Sequence, residues 1–403
     1  MKKINNYNYK ILLNKKKYKY HLLENALDKS DLDEGIKVIR SGFITMNKYT
    51  SIFEKKFAKK LKAKYALMVN SGSSANLLMA QTLIEGKFLK NKIAVLPSVS
   101  WSTTVSPFLQ LGYKVILCDC DKENLGLNTD HLEKICKQYK PGLVVLVNVL
   151  GHANNFNKIS YLKRKYRFQV IEDNCESMGS ELNKKKLGNF GLASSHSFYY
   201  GHHISTIEGG MVSTNDKKFY NISLAVRSHG WARDMEKNYR KNLEKKFKID
   251  EFTSLYTFYF SGLNIRSTDL NAALGIKQLK KINKISKIRH KNFNYYKKKL
   301  DQYWHQDSNL KLTSSFGYAT FVKNRLEVYK FLKAKKIQSR PLICGNMGQQ
   351  PFWKNKFLNK SKLSNAEFVH KNGLYLPNHA NISKKDIDYI TSCFKSIAIP
   401  TFI

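Results

Sequence analysis

Two adjacent histidines, His202 and His203, sit in "SFYYGHHISTIEGGMVSTND" (residues 197–216), a serine- and glycine-bounded stretch that contains no lysine. An imidazole titrates near neutrality, so either ring suits a proton transfer at working pH. It cannot form a Schiff base, so the stretch offers base chemistry rather than covalent capture of a carbonyl. Three acids, Glu172, Asp173 and Glu176, cluster in "VIEDNCES". A carboxylate at the carboxyl end of a buried parallel strand faces the crevice where such sheets bind ligands, and an aspartate there can keep an aromatic ring nitrogen protonated; a solvated strand end carries the same residue type. In "NSGSSANLL", Gly72 lets a ligand approach the backbone, and the amides of Gly72, Ser73 and Ser74 open a helix whose positive end suits a phosphate. An ordinary strand-to-helix turn with a serine cap reads the same way. Trp101, in "SVSWSTT", is a stacking face for a flat ligand or a core side chain.

The elements that must position these groups alternate. "YALMVNSGSSANLLMAQTLIEG" runs from an apolar strand (residues 65–69) through the Ser/Gly turn into a helical stretch, and short apolar runs follow at "KIAVLPSVS", "YKVILCDCD", "GLVVLVNVLGH" and "FQVIEDNCES". Continuous β-rich runs separated by helical spacers predict an α/β fold with a mostly parallel sheet covered on both faces. Leu270, Ala273, Leu274, Ile282 and Ile285 recur at helical spacing and predict a long helix leaving the first domain. The expected organisation is a basic N-terminal arm over residues 1–20, a large domain over 21–270, and a linking helix with a small C-terminal domain over 271–403.

A chain of 403 residues, 42% hydrophobic, is long enough for a large core and a second lobe. No apolar run reaches the about 20 residues needed to cross a bilayer, and the N-terminus lacks the apolar block of a secretory signal, so the cytoplasm is the expected compartment. Lys+Arg of 70 against Asp+Glu of 30 gives a formal charge of +40. The basic residues are spread along the chain among Asn and Ile, which argues for compositional drift over a nucleic-acid surface, although a basic groove for an anionic small molecule fits either reading. Six scattered cysteines without a CxxC pair read as reduced thiols and not as a metal site.

In order and spacing, "SGSSANLL", "SWSTTVSPFLQLGYKVILCDCD", "EDNCESMGS", "SFYYGHHISTIEGGMVSTND" and "GLNIRSTDLNAALGIKQL" resemble the successive motifs of the DegT/DnrJ/EryC1/StrS nucleotide-sugar aminotransferase family, of fold type I among pyridoxal-phosphate enzymes. The resemblance runs from about residue 22 to the C-terminus. Where that family carries its cofactor-binding lysine, five residues after the serine of "SF", this chain has His202. That exchange resembles the family's sugar 3-dehydratase branch. An iron–sulfur kind of dehydratase carries a cysteine set downstream of the histidine, whereas this chain has no cysteine between Cys175 and Cys344; the resemblance is therefore to the cluster-free kind, which acts on GDP-4-keto-6-deoxymannose without a reductase. "SRPLICGNMGQQPFW" and "GLYLPNH" resemble its substrate-binding segments.

The resemblance implies that Gly72, Ser73 and Ser197 hold the cofactor phosphate, with Asn264 reaching it from the neighbouring subunit of a homodimer. It further implies that Trp101 stacks on the pyridine ring, Asp173 pairs with the ring nitrogen and Glu176 lies near the ring hydroxyl. His229 and Arg233, in "SHGWARD", are candidate substrate contacts. With histidine in place of lysine, the expected working form is pyridoxamine phosphate, whose amine condenses with the sugar's C4 ketone; His202, which holds the family register where its competitor His203 does not, is then expected to remove a proton so that the C3 hydroxyl can leave. The implied product is a 4-keto-3,6-dideoxy sugar, with ammonia released and glutamate restoring the amine from pyridoxal phosphate. The alternatives are an aminotransferase using a lysine from elsewhere, such as Lys184–Lys186, and a non-catalytic sugar-nucleotide binder.

Overall fold

The computed structural model describes residues 18–355 and 362–403. The predicted basic arm lies outside the described residues as far as residue 17. Seven strands form the main sheet: β1 (Tyr65–Val69), β2 (Ile93–Pro97), β3 (Lys114–Cys118), β4 (Leu143–Val147), β5 (Gln169–Asp173), β8 (Ala193–Ser197) and β9 (Gly210–Thr214), with a short ribbon of β6 (Glu181–Leu182) and β7 (Lys185–Lys186) between β5 and β8. The order is β1-β9-β8-β5-β4-β2-β3, and only β9 runs antiparallel to its neighbours. This is the mostly parallel α/β sheet expected of fold type I.

The apolar continuity of "LVVLV" in β4 has a direct structural cause. Leu143, Val145 and Val147 enter one core layer while Val144 and Leu146 enter another, so both faces of the strand are dry. The helices Gly72–Glu85, Ser102–Gln110 and Lys217–Arg227 cover the first face, and Thr129–Tyr139 and Phe156–Tyr166 the second.

The helical spacing that begins near Leu270 resolves as one helix of 31 residues, Asp269–Lys299, capped by the Thr268 side chain on the Asn271 amide. Asp269 also accepts the amides of Asn47, Tyr49 and Thr50, which tethers the helix Lys48–Leu61 to it. Along its first half, Ala272, Leu279 and Ile282 pack on Phe53 and Phe57. Further on, Phe293, Tyr296 and Leu300 join Tyr318, Leu376 and Phe394 in a second core. That core backs a three-stranded antiparallel sheet of β10 (Gly317–Phe321), β12 (Gly373–Pro377) and β11 (Arg340–Pro341), in that order.

The C-terminal part of the chain also closes over the main sheet. Leu342, Met347, Trp353 and Ala366 share a core with Leu96 of β2 and Leu117 of β3, and Asp119 accepts the Asn365 and Ala366 amides at 3.0 and 2.8 Å. That seats β11 and the turn after it against the carboxyl ends of the parallel strands. Among the described residues no helix is long and apolar enough to cross a membrane.

Candidate active site

A cavity of about 550 Å³ opens at the carboxyl ends of the parallel strands, the position that doubly wound sheets use for ligands. Seven of the residues singled out in the sequence line it: Gly72, Ser73, Trp101, Asp173, Glu176, Ser197 and His202. No lysine of the described residues does.

The cradle is built by β1 handing over to the helix Gly72–Glu85. Ser71 caps that helix by accepting the Ser74 amide at 3.0 Å, so the Gly72 and Ser73 amides at the same end have no intrahelical acceptor. Gly72 is needed for a reason the sequence did not show. A Cβ there would lie 2.6 Å from Ser197 Cβ and 3.0 Å from Cys175 Sγ, so its small size first lets the helix end approach β8 and the turn after β5. The Ser73 hydroxyl shares a 2.8 Å hydrogen bond with Thr103 Oγ1.

Alternation along β5 separates the acids. Glu172 points into the protein and accepts from the Gly188, Phe190 and Gly191 amides and from Asn148 Nδ2, which makes it a structural anchor. Asp173 points the other way, to the cavity. Its Oδ2 accepts from Asn76 Nδ2 at 2.8 Å and Thr104 Oγ1 at 2.7 Å, and its Oδ1 from the Cys175 amide at 3.1 Å. Asn76 is held in turn by Ser195 Oγ, which donates to its Oδ1 at 2.6 Å. These supports, absent from the sequence reading, orient the carboxylate. Asn76 sits one helical turn after Gly72 on the same helix, and that spacing is the signal that could have found it. Glu176 accepts the Leu150 amide at 2.9 Å; burial, with the Asp173 charge adding, raises its carboxyl to about 8.

The histidine pair divides. His202 lies on a tight turn, its amide donating to Tyr199 O at 3.1 Å, and its ring reaches the cavity. The turn requires Gly201, which has φ +84° and would press a Cβ to 2.5 Å from Leu23 Cβ. Burial, reinforced by the charge of Arg289, pushes the His202 imidazole down to about 4, while the Cys175 backbone and Asp173 pull weakly the other way. The ring is therefore neutral at pH 7, and it is a weaker base than the near-neutral imidazole its residue type led one to expect, because burial disfavours the charged form. His203 turns inward and donates from Nε2 to Ser314 O at 2.8 Å. It does not line the cavity, which leaves His202 as the histidine that can meet a ligand.

Three further residues named from the sequence lie away from this cavity. Asn264 is exposed and accepts from Arg266 Nε at 3.2 Å. The His229 ring lies 3.3 Å from Arg266 and packs edge-on against Trp231, and Arg233 lies over the Trp231 ring at 4.9 Å. The lysines near residue 185 are also remote: Lys186 pairs with Glu181 at 3.3 Å and Lys185 lies over the Phe190 ring. The sequence reading missed Leu23, Glu208 and Phe316 as wall residues, while Arg340 and Tyr375 come from the two C-terminal segments it singled out.

A flat, phosphorylated aromatic ring fits these residues. A helix end offers free amides, the half-exposed Trp101 presents a face, an oriented carboxylate stands beneath, and a neutral imidazole stands at one side.

The profile described as the DegT/DnrJ/EryC1/StrS aminotransferase family matches residues 25–395. GDP-4-keto-6-deoxy-D-mannose 3-dehydratase of Yersinia pseudotuberculosis is 34% identical over 387 residues, 92% of this chain and 95% of that protein. The crystal structure of a GDP-4-keto-6-deoxymannose-3-dehydratase histidine-to-asparagine mutant with bound GDP-perosamine superposes with a TM-score of 0.84 at 33% identity, covering 93% of this chain and 100% of that one. The same enzyme with a trapped PLP-glutamate geminal diamine gives a TM-score of 0.83 at 32% identity, with 93% and 100% covered.

Proposed function

This chain belongs to the DegT/DnrJ/EryC1/StrS aminotransferase family, and we propose that within it the protein is a pyridoxal/pyridoxamine-phosphate-dependent sugar-nucleotide 3-dehydratase. The substrate is a nucleotide-linked 4-keto-6-deoxy sugar, GDP-4-keto-6-deoxymannose by likeness to its relatives, and glutamate is the amino donor. The observation that carries the reading is His202, a neutral imidazole on the wall of a cavity that no described lysine lines.

Gly72, Ser73 and Ser197 hold the cofactor phosphate, Trp101 covers the ring face, Asp173 pairs with the ring nitrogen, and Glu176, protonated below about pH 8, donates toward the ring hydroxyl. Bound there, the pyridoxamine form would supply an amine for the sugar's C4 ketone and a conjugated system that relays the electron pair left by proton removal to C3, so that the hydroxyl is expelled. His202 takes the proton from the carbon beside that amine and can return it to the departing hydroxyl. Arg340, the one Lys or Arg side chain among the described residues lining the cavity, meets an anionic group of glutamate or of the nucleotide.

The protein works as a cytoplasmic homodimer in which the partner's copies of Asn264, His229 and Arg233 complete the site. Leu32, Ile36, Ile39 and Phe43 are exposed on and just after the helix Lys29–Ser41 and support such an interface. The large domain spans residues 21–270, and the linking helix and small domain follow over 271–403. Turnover requires neither an iron–sulfur cluster nor a reductase.

The test supplies GDP-4-keto-6-deoxymannose, glutamate and pyridoxal phosphate, and follows ammonia and the sugar by mass spectrometry. Loss of water with ammonia release is the expected result. An amino sugar instead would make the protein a transaminase, and no turnover across GDP-, CDP-, UDP- and dTDP-linked substrates would make it a binder.

A further inference from the structure

Phe316 lines the cavity beside His202, with ring centroids 5.1 Å apart and planes inclined by 41°. It arrives on a strap, residues 314–316, that leads into β10. A phenylalanine needs no polar anchoring to fill an apolar gap, yet the backbone of this strap is pinned at nearly every polar atom. The Ser314 amide donates to Ser180 Oγ at 2.8 Å, and the Ser314 carbonyl accepts from His203 Nε2 at 2.8 Å. The Ser315 and Phe316 carbonyls accept from the Arg289 guanidinium at 3.3 and 3.0 Å, and the Phe316 amide donates to the Leu150 carbonyl at 3.0 Å. A Cβ at Gly151 would lie 2.6 Å from the Ser314 carbonyl oxygen, so the strap runs in a slot with no room to shift.

Arg289 and His203 are both buried, and among the described residues neither pairs with a carboxylate. Burying a guanidinium is costly unless its donors are met; here Nη1 donates to the carbonyls of Ser315, Phe316 and Asn378, while Nε has no partner among the described residues, so the strap carbonyls are a large part of what holds this charge. The same guanidinium lies 5.8 Å from the centre of the Phe316 ring, on which it can exert a cation–π attraction. A carbonyl can only accept, so His203 Nε2 carries the proton and that ring acts as a fixed donor.

We infer that Phe316, clamped by His203 and Arg289, is a positioning residue that holds the His202 imidazole in its productive orientation; His203 serves the base without being one. This rests on the reading of His202 as the base. The physical reason is the steep dependence of proton transfer on geometry, where a displacement of about 1 Å costs on the order of 10²-fold. A rigid ring held beside the imidazole, inclined to it by 41°, restricts the rotational freedom that a turn residue otherwise has.

The experiment measures kcat, KM and cofactor affinity in holoenzyme carrying Phe316→Leu, Phe316→Tyr, His203→Leu or His203→Gln, each also combined with His202→Asn, after thermal unfolding has shown that each variant folds. Phe316→Leu and His203→Leu are expected to lower kcat about 10- to 100-fold, with KM and cofactor affinity nearly unchanged. Phe316→Tyr keeps the ring and His203→Gln keeps a donor, so both recover most of the rate. In the His202→Asn background the Leu variants have no further effect, because the group they orient is gone. A wild-type rate in His202→Asn alone overturns the assignment of the base and the positioning role with it. A slow His202→Asn whose rate drops again by the same factor with Phe316→Leu leaves the base standing and overturns the positioning role. So does an effect of Phe316→Leu confined to KM.

Discussion

His202 and Glu176 carry the sharpest expectations at the scale of single residues. His202→Asn leaves the phosphate cradle, Trp101 and Asp173 in place, so cofactor binding persists while the dehydration rate falls by about 10²–10⁴-fold, the usual contribution of a positioned general base; stopped-flow and equilibrium binding on the same preparation separate the two. His202→Lys restores an amine, so pyridoxal phosphate becomes covalently attached in a form that borohydride traps, whereas wild-type protein releases all its cofactor after the same treatment. Glu176 gives a pH signature. Its folded-state pKa of about 8 stands above the ordinary 4.5, so between these values the folded chain holds a proton that the unfolded chain has lost, and stability falls as pH rises through that window. Glu176→Gln cannot ionise. In cofactor-free protein the melting temperature of Glu176→Gln relative to wild type should therefore climb from pH 5 to pH 8, and a constant difference would show that the carboxyl titrates normally. Sequence order alone pointed to both residues, because each falls in a short motif. The register shared with the family favoured His202 over His203 there, but what turns the two rings apart was not legible, since neighbours in a turn differ only in what they meet.

At the scale of elements, the site depends on how closely the helix Gly72–Glu85 approaches β8. Gly72→Ala places a methyl 2.6 Å from Ser197 Cβ, and the helix end or the strand end has to retreat. Overpacking of this kind costs about 1–3 kcal/mol, and because the retreat moves the cradle, cofactor affinity should drop by about tenfold or more. Urea unfolding and a cofactor titration read the two effects, and unchanged affinity would mean that the cradle lies elsewhere. The strand-turn-helix unit was legible because an apolar run, a capping serine and a glycine are local signals. The close approach was not, since it involves β8, more than a hundred residues downstream. For the same reason only the family resemblance set Asp173 apart from Glu172 in sequence, and their residue types and spacing did not. Only the coverage of β5 on both faces gives each its side, one anchored by backbone amides and the other oriented by Asn76 and Thr104.

For the whole molecule, the expectation is a shared site. If Asn264 serves the cavity of its neighbour, His202→Asn and Asn264→Ala homodimers are each impaired, and mixing them under exchange conditions makes heterodimers in which one site carries both lesions and the other none. At equal amounts about a quarter of all sites become native. Recovery of activity on mixing is the expected outcome. No recovery, with light scattering confirming that subunits exchange, would place Asn264 at its own chain's site or at none.

What the sequence determined by itself is what neighbouring residues settle among themselves: the alternation of strands and helices, a long helix after about residue 270, the turn at Gly72, and a histidine where the aminotransferase family at large carries a lysine. Apolar runs, caps and glycine turns act over a few residues, so they survive in a linear reading. The family resemblance named His202 and Asp173, but only tertiary structure shows that His203 and Glu172 turn away from the cavity and what stands behind each. His203 is drawn inward by a carbonyl 111 positions away, and Phe316 is set beside His202 by a buried arginine on the long helix. Side chains in a turn have several directions open to them, and the one they take is fixed by polar groups that must find partners once water has been excluded.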